Sequence, residues 1–298
     1  MNMGQLHSTV SEPATDKVQS IAIARPLRVI LLTHGGAEEV LARLSFSEVK
    51  VVGVFVETDI VRQYNLSAKI KRSIRYDGYA ATASKFFKKL TGSGGDQWDL
   101  DGVLDSRNKL EQMARERQIP FHPIANYHSS ESMELMKACD ADLGIIYGTN
   151  IIKESVFKIP KLGSINLHQG LAPYYRGGPP VFWELYNGET EVGLTVHFVA
   201  AKVDSGEIIL QEKVPLSYDA AYGTDYERFI EEFTDQLRPR CAQLVAQAVR
   251  LIALGDAHMQ KQDTTLGARY RLPVKAQKDE LRRRLKERYL KDATRNRD

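Results

Sequence analysis

Two side chains set two residues apart, Asn166 and His168, are of the right types to do chemistry together. They lie in Ser164-Ile-Asn-Leu-His168, where apolar Ile165 and Leu167 alternate with polar neighbours, the pattern of a short strand. Successive side chains of a strand point to opposite faces, so Asn166 and His168 share a face at the strand's end. A carboxamide can donate to the negative charge that develops on a carbonyl oxygen under attack, and an imidazole can move a proton. That pair suits acyl-type transfer. The bland alternative is a strand end whose Asn and His only satisfy turn backbone, and an isolated Asn-x-His does not exclude it. Gly170, Pro173 and Gly177 break the chain just beyond, with Arg176 among them. The Arg176 guanidinium, a planar five-donor fork, either orients this loop, holds an anionic group, or pairs with a nearby carboxylate. Asp204 follows in a loop between two strand-like runs, 191–199 and 207–214. A carboxylate near the imidazole favours its charged form and is expected to raise its pKa. His197 lies within the first of those runs and reads as a core or supporting histidine rather than a catalytic one.

The elements that must position these groups read as an open α/β sheet. Arg28-Val-Ile-Leu-Leu-Thr33 and Lys50-Val-Val-Gly-Val-Phe-Val56 are buried-strand runs, and His34-Gly35-Gly36 leads from the first into a helix beginning Ala37-Glu38-Glu39. The Gly-x-Gly-x-x-Gly spacing of a dinucleotide site is absent. Glu38 and Glu39 complement the helix dipole but would repel a phosphate, so the glycine pair reads as a structural turn. Asp142-Leu-Gly-Ile-Ile-Tyr-Gly148 is a strand buried on both faces. Pro179 to Gly188 predicts a short helix ended by glycine. Residues 223–254 carry a long apolar stripe closed by Gly255, and 279–291 are amphipathic around Leu281, Leu285 and Tyr289.

Together, the stretch Gly163–Gly177, the run Gly193-Leu-Thr-Val-His-Phe-Val199 and the segment Val203–Ile209 resemble the 10-formyltetrahydrofolate-dependent formyltransferase family. That family includes glycinamide ribonucleotide, methionyl-tRNA and sugar-nucleotide formyltransferases and formyltetrahydrofolate hydrolases. The resemblance runs from about Ala141 to Val214, with a weaker echo back to Leu27. It implies a formyltransferase fold, an open and mostly parallel Rossmann-like sheet flanked by helices, spanning 27–215. It implies Asn166, His168 and Asp204 as the catalytic trio and 10-formyltetrahydrofolate as donor. It places Tyr147, Gly148, Thr149, Asn150, Ile151 and Ile152, with Val203, around the folate. It places Gly170, Arg176 and Gly177 by the acceptor, a small-molecule amine. Residues 216–298 read as a helical extension, unlike the C-terminal β-barrel of the tRNA-specific members, and about 26 residues precede the first strand, unlike the regulatory domain of the hydrolases.

The 298 residues carry a net charge of +3 that is unevenly spread. Residues 60–91 hold eight Lys/Arg against one acid, interleaved with Tyr64, Tyr76 and Tyr79, and apolar residues recur at helical spacing. This basic helical insert follows the second strand, at the sheet edge where open α/β proteins bind ligands. It reads either as a solvated face or as the seat of an anionic acceptor such as a nucleotide-linked amino sugar, with Arg72 and Arg75 as the contacts. Residues 278–298 hold nine Lys/Arg against five acids; this helix packs on the body or on a partner subunit, which allows a homodimer, and a membrane-surface or RNA role ranks behind these. The remainder of the chain is acidic, which disfavours a broad nucleic-acid surface. Two cysteines, Cys139 and Cys241, suit a reducing cytoplasm and form no metal cluster, so no metal is expected. Residues 1–26 read as a disordered tail without a signal-like core, and no apolar run approaches a membrane span.

Overall fold

A computed structural model describes residues 25–58, 75 and 100–295 of the chain. Its frame is a seven-stranded sheet. In chain order the strands are β1 (Leu27–Thr33), β2 (Val49–Glu57), β3 (Phe121–Ile124), β4 (Leu143–Ile146), β5 (Ser164–His168), β7 (Glu191–Phe198) and β8 (Ile208–Pro215), with spatial order β3-β2-β1-β4-β5-β7-β8. The first five are parallel, whereas β5–β7 and β7–β8 are antiparallel. The strand order reverses at β1, so the carboxyl ends of β1 and β4 flank the crevice where sheets of this kind bind ligands. The open, mostly parallel sheet read from sequence is therefore the observed one.

Helices cover both faces. On one, α1 (Glu38–Arg43), α2 (Leu100–Glu116) and the long α6 (Tyr226–Leu254) pack on Val29, Leu31, Val54, Val56, Leu143, Ile145 and Ile165. On the other, α3 (Ser130–Ala138) and α4 (Glu154–Phe157) cover Ile30, Leu32, Phe55 and Ile146. The alternation within β1 thus splits its side chains between two cores. The stripe of α6 joins the main core through Leu237, Cys241, Leu244, Val245, Ala248 and Ile252. Each fully buried aliphatic of this kind contributes about 1.5–3 kcal/mol. The Asp225 side chain caps α6 by accepting from Arg228 N–H, and Gly255 closes it in the left-handed conformation. The helical stretch after 215 is therefore built into the same core as the sheet.

A third cluster joins α5 (Phe182–Asn187), the first turn of α6 and the last helix, α7 (Lys275–Arg295), through Phe182, Trp183, Phe229, Leu281 and Leu285. The basic helix seen in the sequence packs on the body. Its arginines are spent locally: Arg283 on Glu280 and Glu287, Arg284 on Glu280, and Arg282 on Glu227 and Asp279. Arg284 also lies over the Tyr186 ring at 4.4 Å. Arg25, assigned to the tail from sequence, instead grips buried Asp142 in a bidentate pair at 2.6 and 2.7 Å. The basic insert, Arg72 included, lies outside the described residues except for Arg75, which is helical and exposed. Among the described residues no helix is long and apolar enough to cross a membrane.

Candidate functional site

The register of β5 against β7 decides which side chains meet. Asn166 lies opposite His197 and His168 opposite Thr195. Directly paired residues of antiparallel strands project to the same face, so these four share one face. Asn166 also neighbours Ile146 of β4, which puts it beside the 147–152 segment that leaves the carboxyl end of that strand.

Asp204 reaches this face from the loop after β7. It adopts a left-handed φ of 47°, which a short polar residue tolerates better than a bulky one. Its Oδ2 accepts the Gly177 N–H at 2.8 Å and lies 3.4 Å from His168 Nδ1, while Oδ1 lies 3.4 Å from His197 Nε2. One carboxylate therefore sits between two imidazoles. Burial alone would raise the Asp204 pKa; the nearby imidazoles of His197 and His168 and the Gly177 amide overcome it and hold the group at about 2.

Each imidazole anchors its other nitrogen on a main-chain carbonyl. His168 Nε2 is 2.6 Å from Tyr175 O, and His197 Nδ1 is 2.8 Å from Phe198 O. A carbonyl only accepts, so these nitrogens carry the protons and the nitrogens facing Asp204 are the ones left to exchange one. At 3.4 Å the separation exceeds a direct hydrogen bond. The expected rise of the His168 pKa is not what the structure shows. Its pKa is lowered, because burial outweighs Asp204 and the Tyr175 carbonyl, and His197 adds to the lowering. The imidazole is therefore neutral and able to take a proton near pH 7.

The turn after β5 is held by residues that sequence reading passed over. Thr195 Oγ1 donates to Gly170 O at 2.7 Å and accepts the Ala172 N–H at 3.2 Å, and Gln211 Nε2 donates to Ala172 O at 2.6 Å. Their signal was present: Thr195 and His197 are polar residues in a run buried from Val192 to His197. Gly170 clears space for the His168 imidazole. A Cβ there would collide with His168 Nε2 and lie 2.7 Å from Tyr175 O.

A second support comes from the far end of the chain. Tyr175–Arg176 (β6) pairs in parallel with Ala268–Arg269 (β9), and Tyr270 N–H donates to Arg176 O at 2.8 Å. Arg176 is buried and donates to Pro173 O at 3.1 Å and Thr264 O at 2.9 Å. Of the roles open to it from sequence, its contacts are those of a loop organiser. Residues 264–271 thus strap the loop that carries the Tyr175 carbonyl and the Gly177 amide. Val203 lies half-buried beside Gly177.

At the carboxyl end of β4, Tyr147 and Thr149 are half-buried, Gly148 and Asn150 are exposed, Ile152 is buried and Ile151 is 65% exposed. An apolar side chain standing open beside main-chain donors and acceptors suits a flat ring with a polar edge. Gln169, next to His168, instead turns its side chain toward Cys241 of α6 and keeps a buried Oε1 without a donor.

Neighbouring β1 ends differently. Thr33 Oγ1 bonds both Gly35 N and Gly35 O, and Ser106 Oγ accepts the Gly36 N–H, so this turn satisfies its own amides, in keeping with a structural turn. His34 Nε2 meets Glu57 Oε2 at 2.7 Å; Glu57 Oε1 accepts the Tyr127 N–H, and Arg107 donates to the carbonyls of His34 and Glu57.

A family model described as Formyl transferase matches residues 35–239. The chain belongs to the formyl transferase family. The match begins just after β1 and takes in the other six strands of the sheet together with Asn166, His168, His197 and Asp204. Among curated proteins, methionyl-tRNA formyltransferase of Chlorobium limicola is 30% identical over 167 residues, 56% of this chain and 50% of that one. The enzyme of that name from Listeria monocytogenes serotype 4a is 36% identical over 121 residues, 40% of this chain and 38% of that one. The chain spans about half the length, or less, of the curated relatives it matches. Among solved structures, glycinamide ribonucleotide transformylase 1 from Symbiobacterium toebii superposes with a TM-score of 0.51 at 20% identity, over 80% of this chain and 96% of that one. A formyltetrahydrofolate deformylase from Pseudomonas syringae gives 0.52 at 17%, over 80% and 67%. At these identities the likeness speaks for the fold. The formyl transferases are one-carbon transferases, and the fold, the seven-stranded sheet with helical cover, is theirs.

Proposed function

We propose that this chain transfers the formyl group of 10-formyltetrahydrofolate to an amine. The observation that carries the reading is the convergence of Asn166, neutral His168 and ionised Asp204 on one face beside the carboxyl end of β4. Asn166 donates its side-chain N–H to the oxyanion that develops on the attacked formyl oxygen. His168, held by Tyr175 O, takes the proton that the attacking amine must lose through the nitrogen facing Asp204 and passes it to the folate nitrogen as the formyl C–N bond breaks and tetrahydrofolate leaves. Asp204, ionised down to about pH 2, stabilises the imidazolium so formed and fixes its orientation through the Gly177 amide. Tyr147 to Ile152, with Val203, would hold the folate, through main-chain groups and the open Ile151 side chain, and Gly170 and Gly177 would lie on the acceptor side. The donor supplies the one-carbon unit; everything else is done by this chain's own groups.

The acceptor we favour is a nucleotide-linked amino sugar, on the strength of the basic segment 60–91 with Arg72 and Arg75. The helical build of residues 226–295 favours it over a tRNA acceptor, and the engaged amides of the Gly35-Gly36 turn favour it over a ribonucleotide phosphate. A cytoplasmic enzyme fits the two free thiols of Cys139 and Cys241. The test is release of tetrahydrofolate from 10-formyltetrahydrofolate, alone and with nucleotide-linked amino sugars, glycinamide ribonucleotide or methionyl-tRNA. Release that requires an amino sugar, with a formylated product by mass, supports the proposal. Release without amine, together with formate, makes the protein a hydrolase and overturns it.

A further inference from the structure

Away from the trio, the start of β7, α5 and the β6–β9 strap enclose an open cavity of about 280 Å³. Its lining is acidic and aromatic: Glu184, Glu189 and Glu191 face it with Tyr174, Tyr175 and Tyr270, and Lys213 is its single cation among the described residues. Most of these groups are already engaged. Lys213 Nζ pairs with Glu191 at 3.0 Å, and Glu189 accepts the Tyr175 hydroxyl at 2.8 Å. Glu184 is the exception. Only 3% of it is exposed, yet among the described residues its carboxyl has no partner beyond its own main-chain N–H. A buried carboxylate without a counter-charge is costly, and native structures rarely leave one so. Burial pushes Glu184 up to about 7; its own N–H opposes the rise and Glu189 adds to it, and no neighbouring cation brings it down. Tyr175 and Tyr270, stacked on one another with centroids 5.2 Å apart, line the same space.

The geometry points to a second binding site, for a protonated alkyl amine, with Glu184 as its counter-charge at the cavity floor and Tyr175 and Tyr270 as its wall. A cation supplies what Glu184 lacks and what Lys213, held by Glu191, does not deliver. The site is independent of the proposed formyl transfer: it uses none of Asn166, His168 or Asp204. An anionic folate or sugar nucleotide is the wrong charge for it.

Isothermal titration calorimetry with putrescine at pH 8 tests it, with 1,4-butanediol as a neutral analogue of the same shape. Wild-type protein is expected to bind putrescine saturably and not to bind the diol. Glu184→Gln, which keeps shape and removes charge, is expected to weaken binding about tenfold or more without loss of thermal stability. Lys213→Gln, on the exposed rim, is expected to tighten it by removing the competing cation. No saturable putrescine binding by wild-type protein, equal binding of the diol, or unchanged affinity in Glu184→Gln overturns the assignment. The amine-against-diol contrast needs no variant and decides the matter should Glu184→Gln fail to fold.

Discussion

His34–Glu57 and His168–Asp204 are both histidine–carboxylate pairs at the rim of the sheet, and they are built for opposite ends. His34 and Glu57 meet at 2.7 Å; the second carboxylate oxygen takes the Tyr127 amide, and Arg107 fastens both main chains. The nitrogen that faces the carboxylate is bonded directly to it, and both carboxylate oxygens are engaged. His168 and Asp204 stand 3.4 Å apart, with a second imidazole on the far side of the carboxylate and each ring anchored by its remote nitrogen to a carbonyl. The first pair clamps β1 to β2. The second holds its members in place from behind and leaves the facing nitrogens available. A histidine beside a carboxylate is thus not a signature of catalysis; what distinguishes the pair proposed to work is where the hydrogen bonds that fix it are made.

The largest expected effects lie in the open pair. His168→Ala should lower formyl transfer by about 10²–10⁴, and Asn166→Ala by about 10²–10³, with far-UV circular dichroism unchanged in both. Turnover near wild type in purified His168→Ala would refute the role given to the trio. Next comes Gly170→Ala, which drives a methyl between His168 and Tyr175. Misplacing a reacting group by about 1 Å costs on the order of 10² in rate, and kcat should fall by that order. A kcat within twofold of wild type would show that the Tyr175 anchor is dispensable.

The closed pair should respond in the other currency. His34→Ala strands buried Glu57 and should cost about 3 kcal/mol in denaturant unfolding, while the folded fraction keeps turnover within about tenfold of wild type. Equal losses of turnover in His34→Ala and His168→Ala would erase the contrast between the pairs. The smallest effect is the finest test. Because the folded pKa of His168 is lowered, the acid limb of kcat/KM should fall below about 6.5, the ordinary histidine value. Asp204 raises and His197 lowers that pKa, so Asp204→Asn should move the limb further down and His197→Gln should move it up. Movement of the two in the same direction contradicts the assignment of these charges. Asp204 itself, ionised to about 2, contributes stability that is complete above its unfolded value near 3.8 and is lost as pH falls toward 2.

What sequence disclosed and what it hid divide along a physical line. The face shared by Asn166 and His168 was legible, because strand alternation is a local rule. So were the β1–turn–α1 start and the stripe of α6, which are also set by periodicity. The direction of the His168 pKa was not. Proximity to Asp204 suggests a rise, but the ring is buried under the loop that returns through Gly170 and Tyr175, which proximity does not reveal. Arg176 was likewise ambiguous, since its acceptors are the carbonyls of Pro173 and Thr264, and carbonyls leave no mark on a residue pattern. The same holds for Arg25, whose partner Asp142 lies 117 positions away. Glu184 reads as an ordinary first-turn acid until the cavity around it is seen.

The strap has a bearing on how this protein can be cut and joined. The family likeness ends at residue 239, yet the catalytic loop is latched by Thr264, Ala268 and Tyr270. A fragment trimmed to the recognisable family span would carry Asn166, His168 and Asp204 but lose β1 at one end and the last turns of α6 at the other. The region that looks like a portable enzyme is therefore not a self-sufficient one, and chimeras with other members must carry residues 240–271 across the junction as part of the active unit.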